Sequence, residues 1–312
     1  MAVGRESWYP LASSSLEPSA RACAALFCAV VFFAARAQPV FGDGYGYPHL
    51  KEQWEFQMQL VSTGATNVVL LLGVFRSWQV GCPIDALVGF CSMMTSVVYH
   101  TLQTLEGNNP GVYGKAFFLG GTESDWHRAD NIFAIACFTS FFSMPLQLVS
   151  PVWVTMSRMV PLSVAITTQC LRPWNFAYTL FPIVFFSVGF LVLIGASGMK
   201  PHLQRRECLY SGITFLLAVI FFFLGMDDEN DYLRIKHGFW HIFIGLFVYY
   251  WTGACNPPHV VQARKRLLYA TAHDATILLG EEKLRHGKTK TGEPQIAPNP
   301  ATEAAVQMAK IA

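Results

Sequence analysis

The sequence predicts an all-α membrane protein, a bundle of seven transmembrane helices that follows a cleaved signal peptide. Three observations lead there. Of 312 residues, 53% are hydrophobic and only 13% are charged, where a soluble domain carries about 25% charged residues. Seven apolar stretches long enough to approach the ~20 residues of a membrane helix succeed one another after residue 57. Basic and acidic residues alternate between the loops that join them, the asymmetry of a chain threaded through a bilayer. A net charge of +2 with no basic-aromatic pattern argues against nucleic acid as a partner. The chain has no GxGxxG, P-loop or GxSxG motif. None of its eight cysteines forms a CxxC pair, so they read as packing residues.

Taken in order, Arg21 precedes the apolar run Ala22–Ala34, which ends in Ala35-Arg36-Ala37. A basic flank, a core of about 13 residues and small residues at −3 and −1 make residues 1–37 a signal peptide; an uncleaved anchor is the alternative. Cleavage after Ala37 leaves residues 38–57 as a short Gly/Tyr/Pro-rich external arm. The seven segments are predicted at Met58–Phe75, Ile84–Leu105, Asn131–Val149, Val152–Cys170, Phe176–Ser197, Cys208–Gly225 and Ile235–Cys255, so the membrane domain spans 58–255. Arg158 and Pro161 interrupt the fourth, and Arg158 is expected to snorkel to the inner face. Asn256-Pro257-Pro258 stops the last helix. The cytosolic tail, 256–312, is predicted as an amphipathic helix over His259–Leu279 followed by disorder from Glu281. Cys255, at the membrane edge, is a candidate for palmitoylation.

Loop charge sets the orientation. Arg76, the Lys200/Arg205/Arg206 loop and Arg264-Lys265-Arg266 fall on one side. Glu106, Glu123, Asp125 and the run Asp227-Asp228-Glu229-Asn230-Asp231 fall on the other. The positive-inside rule then puts the mature amino terminus outside and the carboxyl terminus in the cytosol. The secretory pathway follows, with the plasma membrane favoured over the endoplasmic reticulum or Golgi. The acidic run reads as a solvated loop.

With that threading, three helices bring polar residues to one membrane level. The second ends in Ser96-Val97-Val98-Tyr99-His100, the third opens at Asp130, and the last opens with His237 and His241. Spacing of four residues stacks His237 over His241 on one helix face. Three imidazoles with an open fourth position form the ligand set of catalytic zinc, which lowers the pKa of its bound water toward about 7. Asp130 then suits a hydrogen bond to that water, as orienting group or proton acceptor. Ser96, one turn before His100, can donate to a developing oxyanion, brace the site or simply bond its own backbone. Asp125 competes with Asp130 as the site carboxylate. His127, between them, reads as an interfacial residue.

Ser-x-x-x-His closing one helix, Asp opening the next and His-x-x-x-His opening the last resembles the CREST superfamily of seven-helix membrane proteins. That group includes alkaline ceramidases, progestin and adipoQ receptors and the transmembrane-protein-8/myomaker family. The stretch Asp231-Tyr232 through His237-Gly238-Phe239-Trp240-His241 looks most like the last of these, and the resemblance covers about Met58 to Cys255. It implies a zinc ion on His100, His237 and His241, with Asp130 and Ser96 beside it. It also implies hydrolysis of an acyl amide or ester bond in a membrane lipid. The alternatives it carries are a non-enzymatic, myomaker-like membrane protein and a receptor with a structural zinc site. The large extracellular domain of some transmembrane-protein-8 relatives has no counterpart in the short arm.

Overall fold

The computed structural model describes residues 52–108, 121–173, 175–227 and 230–267. The predicted signal peptide, nearly all of the external arm and the tail beyond residue 267 lie outside the described residues. Within them the regular structure is helical, with no strand. Helix α1 (Gln53–Thr63) runs through a 3₁₀ turn (Ala65–Val69) into α2 (Leu70–Gln79). After these come α3 (Pro83–Asn108), α4 (Glu123–Ser143), α5 (Pro151–Leu171), α6 (Phe176–Ala196), α7 (Arg205–Leu224) and α8 (Ile235–Cys255). Residues 258–267 form a further helix, where the amphipathic tail helix was predicted to begin.

A helix thus occupies each of the seven predicted apolar segments. Among the described residues, four stretches, Gln53–Gln79, Glu123–Leu146, Phe176–Ala196 and Arg205–Leu224, are long and apolar enough to cross a membrane. The outward faces of α6 and α7 are apolar, with Phe176, Phe185, Leu191, Leu216 and Phe223 all exposed. So much apolar surface on a soluble protein would be an aggregation site; it is consistent with a membrane protein. The helix ends depart from the prediction because hydropathy registers only the apolar centre. The first helix starts at Gln53, not Met58. Helix α4 starts at Glu123, where Thr122 and Asp125 form a reciprocal capping box. Asp130 therefore lies inside that helix and does not open it.

Helix α8 is the central element, packed against α7, α1, α2 and the 3₁₀ turn. Glycines set how closely. A Cβ on Gly238 would run into the Ser62 carbonyl oxygen, one on Gly73 into Val248, and one on Gly245 would lie 2.9 Å from the Val69 carbonyl carbon. Small residues at such crossings let helix backbones approach inside a membrane. The register is fixed by side chains of α1: Ser62 Oγ donates to Leu233 O (2.6 Å) and Gln59 Nε2 to Tyr232 O (3.2 Å). Gly238→Ala should therefore displace the start of α8 and destabilise the fold by about 1–3 kcal/mol, read as a lower melting temperature in detergent.

At the opposite end of the bundle the expectation for Arg158 is corrected. Its side chain does not reach for the surface. It is buried in α5 and makes a two-pronged pair with Asp85 of α3, Nε to Oδ1 at 2.6 Å and Nη2 to Oδ2 at 3.1 Å. Helix α5 also continues through Pro161. Nearby, Arg264 of the final helix reaches back to Leu148 O (2.7 Å), Cys82 Sγ (2.9 Å) and Asn256 Oδ1. Burial, with Asp85 beside it, pushes the Cys82 thiol up to about 11, so it meets Arg264 as a neutral acceptor. Cys255 is fully buried, which removes it as an accessible acylation site.

Candidate metal centre

His100 sits on α3, and His237 and His241 sit one turn apart on α8. The two helices meet so that one nitrogen from each of the three rings lies within 4.8 Å of the others. His100 Nε2 and His237 Nε2 are 3.3 Å apart. Metal–nitrogen bonds of roughly 2.0–2.1 Å in tetrahedral geometry require ligand separations of about 3.3 Å. The ring centroids are 4.8 Å (His100–His237), 5.1 Å (His100–His241) and 4.7 Å (His237–His241) apart.

Two further observations bear on whether these residues suit a metal ion. His241 is buried, and its Nε2 has no hydrogen-bond partner among the described residues. A buried ring nitrogen left bare is costly, and a cation would satisfy it. His100 Nδ1 lies 3.1 Å from Gln103 Oε1, which can only accept. The ring proton therefore belongs on Nδ1 and the Nε2 lone pair faces the other two rings, the tautomer control typical of metal-bound histidine. The cluster can hold a metal ion.

A cavity of about 100 Å³ adjoins the cluster and is lined by His241, Asp130 and Ser96, with largely apolar walls from α2, α3, α4 and α8. The Ser96 side chain lies near the Asp130 carboxylate. Of the roles open to Ser96, this proximity favours bracing Asp130. The choice between carboxylates is also visible. Asp125 is exposed and accepts from Thr122 N (3.0 Å) and Thr122 Oγ1 (2.8 Å), which is helix-capping work. Asp130 is the one on the cavity. His127 stacks on Tyr99 with centroids 4.2 Å apart and planes within 5°, one residue from His100.

Sequence reasoning missed two supporting residues. Gln103 was findable, since it stands three positions after His100 on the same helix. Asp231 was placed in a solvated acidic run, but it is buried and accepts from the backbone N–H groups of Lys236 (3.0 Å) and His237 (2.9 Å). It caps the start of α8 and fixes where His237 begins. Arg234 takes a left-handed conformation (φ 58°) to make that turn.

Fold and site together define an all-α, membrane-type helical bundle with a three-histidine cluster set between its helices. The chain belongs to the family described as protein of unknown function DUF3522, which matches residues 55–242. That match takes in all three histidines, Ser96 and Asp130. Searches of curated proteins and of solved structures found no match.

Proposed function

We propose that this chain is a seven-span member of the CREST group, nearest its transmembrane-protein-8/myomaker branch, and acts as a zinc-dependent hydrolase of an acyl amide or ester bond in a membrane lipid. The observation that carries the reading is the meeting of three imidazoles beside an apolar cavity that one of them, His241, lines together with Asp130 and Ser96. An apolar cavity with a few convergent polar groups is the usual form of a small-molecule site. Its apolar walls and about 100 Å³ of space suit the short part of an acyl chain next to the carbonyl to be cleaved, and its polar end suits that carbonyl.

Bound to His100, His237 and His241, zinc would supply a water nucleophile at neutral pH and polarise the carbonyl. Asp130 takes the proton released by the attacking water and returns it to the leaving amine or alcohol. Ser96 holds Asp130 in place. Gln103 keeps His100 in its ligating tautomer, and Asp231 holds the α8 terminus that carries His237. Charge bias puts the site near the outer leaflet, with the amino terminus outside and the carboxyl terminus in the cytosol. The plasma membrane is the favoured location.

Elemental analysis of protein purified in detergent without chelators tests the metal. About one zinc per chain is expected, and less than about 0.2 would overturn the reading. Lipidomics of cells expressing wild type against His241→Ala tests the chemistry. The variant should accumulate one lipid class that wild type depletes, and identical profiles would argue against hydrolysis.

A further inference from the structure

Asn67 has no part in the chemistry described above, yet it is fully buried and lines the same cavity as His241, Asp130 and Ser96. It sits in the 3₁₀ turn between α1 and α2. Its Nδ2 donates to Thr63 O at 2.5 Å, which fixes the amide's orientation and settles which side-chain atom is the oxygen. That oxygen, Oδ1, has no hydrogen-bond partner among the described residues. None of the other polar residues that line the cavity, Ser77, Ser92, Ser96, Ser140 and Trp240 among them, hydrogen-bonds that oxygen. Much of the remaining wall is apolar, with Leu70, Val74, Val88 and Ile244 among its residues.

A buried amide oxygen with nothing to accept is disfavoured unless something supplies a proton. We propose that Asn67 is a specificity-determining residue whose Oδ1 accepts a hydrogen bond from an amide N–H or hydroxyl on the lipid occupying this cavity. The proposal rests on reading the cavity as a lipid site, but not on that lipid being hydrolysed. Its consequence is selection: a site built around an acceptor rejects an analogue that lacks the donor far more strongly than it rejects a change of chain length.

Two matched pairs of probes test this on the purified full chain. A fatty-acid N-methylamide and its N,N-dimethyl counterpart differ in one N–H; a fatty alcohol and its methyl ether differ in one O–H. Binding is measured by displacement of a fluorescent fatty-acyl probe, with zinc content determined on the same samples. At least one donor-bearing probe should bind wild type about tenfold more tightly than its methylated partner, and that pair names the donor. Asn67→Leu should close the gap to within about twofold with zinc content unchanged. Equal affinity within both pairs on wild type overturns the proposal and assigns Oδ1 to a trapped water, whether or not the variant folds. A gap that survives in Asn67→Leu also overturns it. If no probe displaces the reporter, the lipid-site reading and the proposal fall together, whereas a donor gap in protein without zinc would sink only the metal chemistry.

Discussion

Asp130→Asn is expected to leave the metal content of the purified protein unchanged while lowering lipid hydrolysis by roughly 10²–10⁴-fold, the usual contribution of a positioned general acid–base. The expectation follows from where the carboxylate sits. It lines the cavity together with His241 and Ser96, but it lies outside the three-histidine cluster that could hold an ion. Asparagine keeps the shape, but it cannot take up a proton. His241→Ala should behave differently, losing metal and turnover together, because a three-ligand site with one ligand removed no longer encloses the cation. Metal is read by elemental analysis and turnover by mass spectrometry of released fatty acid. Full turnover in Asp130→Asn would remove the carboxylate from the chemistry. A wild type that holds zinc but releases no fatty acid would instead favour the receptor or membrane-organising alternatives.

Part of this candidate site was legible because two of its three histidines stand one helix turn apart. His237 and His241 share a face by spacing alone, and the threading inferred from loop charge put His100 at the same level. What periodicity reports is which face a residue occupies, never which residue it will meet. Asp130 and Asp125 look alike in sequence and separate only when Thr122 closes a capping box with Asp125. Asn67 is one polar residue in an apolar run, and nothing in that run shows that its oxygen lacks a donor. Asp231 carries the signature of a surface loop, five acidic or amide residues in a row, and its burial depends on the turn at Arg234. The helix boundaries failed for a related reason. Polar residues at helix ends are helical yet invisible to hydropathy, so α4 and α7 each begin earlier than their apolar centres suggest.

The hardest feature to read was Arg158, and it carries the second large expectation. A lone arginine in an apolar segment reads as a snorkelling side chain, because its partner Asp85 belongs to another helix. In the fold both side chains are 3% exposed, and Asp85 also lines the cavity at the end away from the histidines. Arg158→Met should therefore destabilise the protein by about 3–5 kcal/mol, since it strands an uncompensated buried carboxylate. The double variant Asp85→Leu/Arg158→Met removes both charges and should recover most of that loss, giving a strongly non-additive mutant cycle. Thermal unfolding in detergent measures all four proteins. Additive losses would mean that the two residues act separately and that the pair does not tie α3 to α5. Zinc content in the same series then separates packing from chemistry: the pair and the histidines occupy opposite ends of α3, so a folded double variant should keep its metal. If it folds and loses zinc, the Asp85–Arg158 pair also holds α3 in the register that presents His100 to α8.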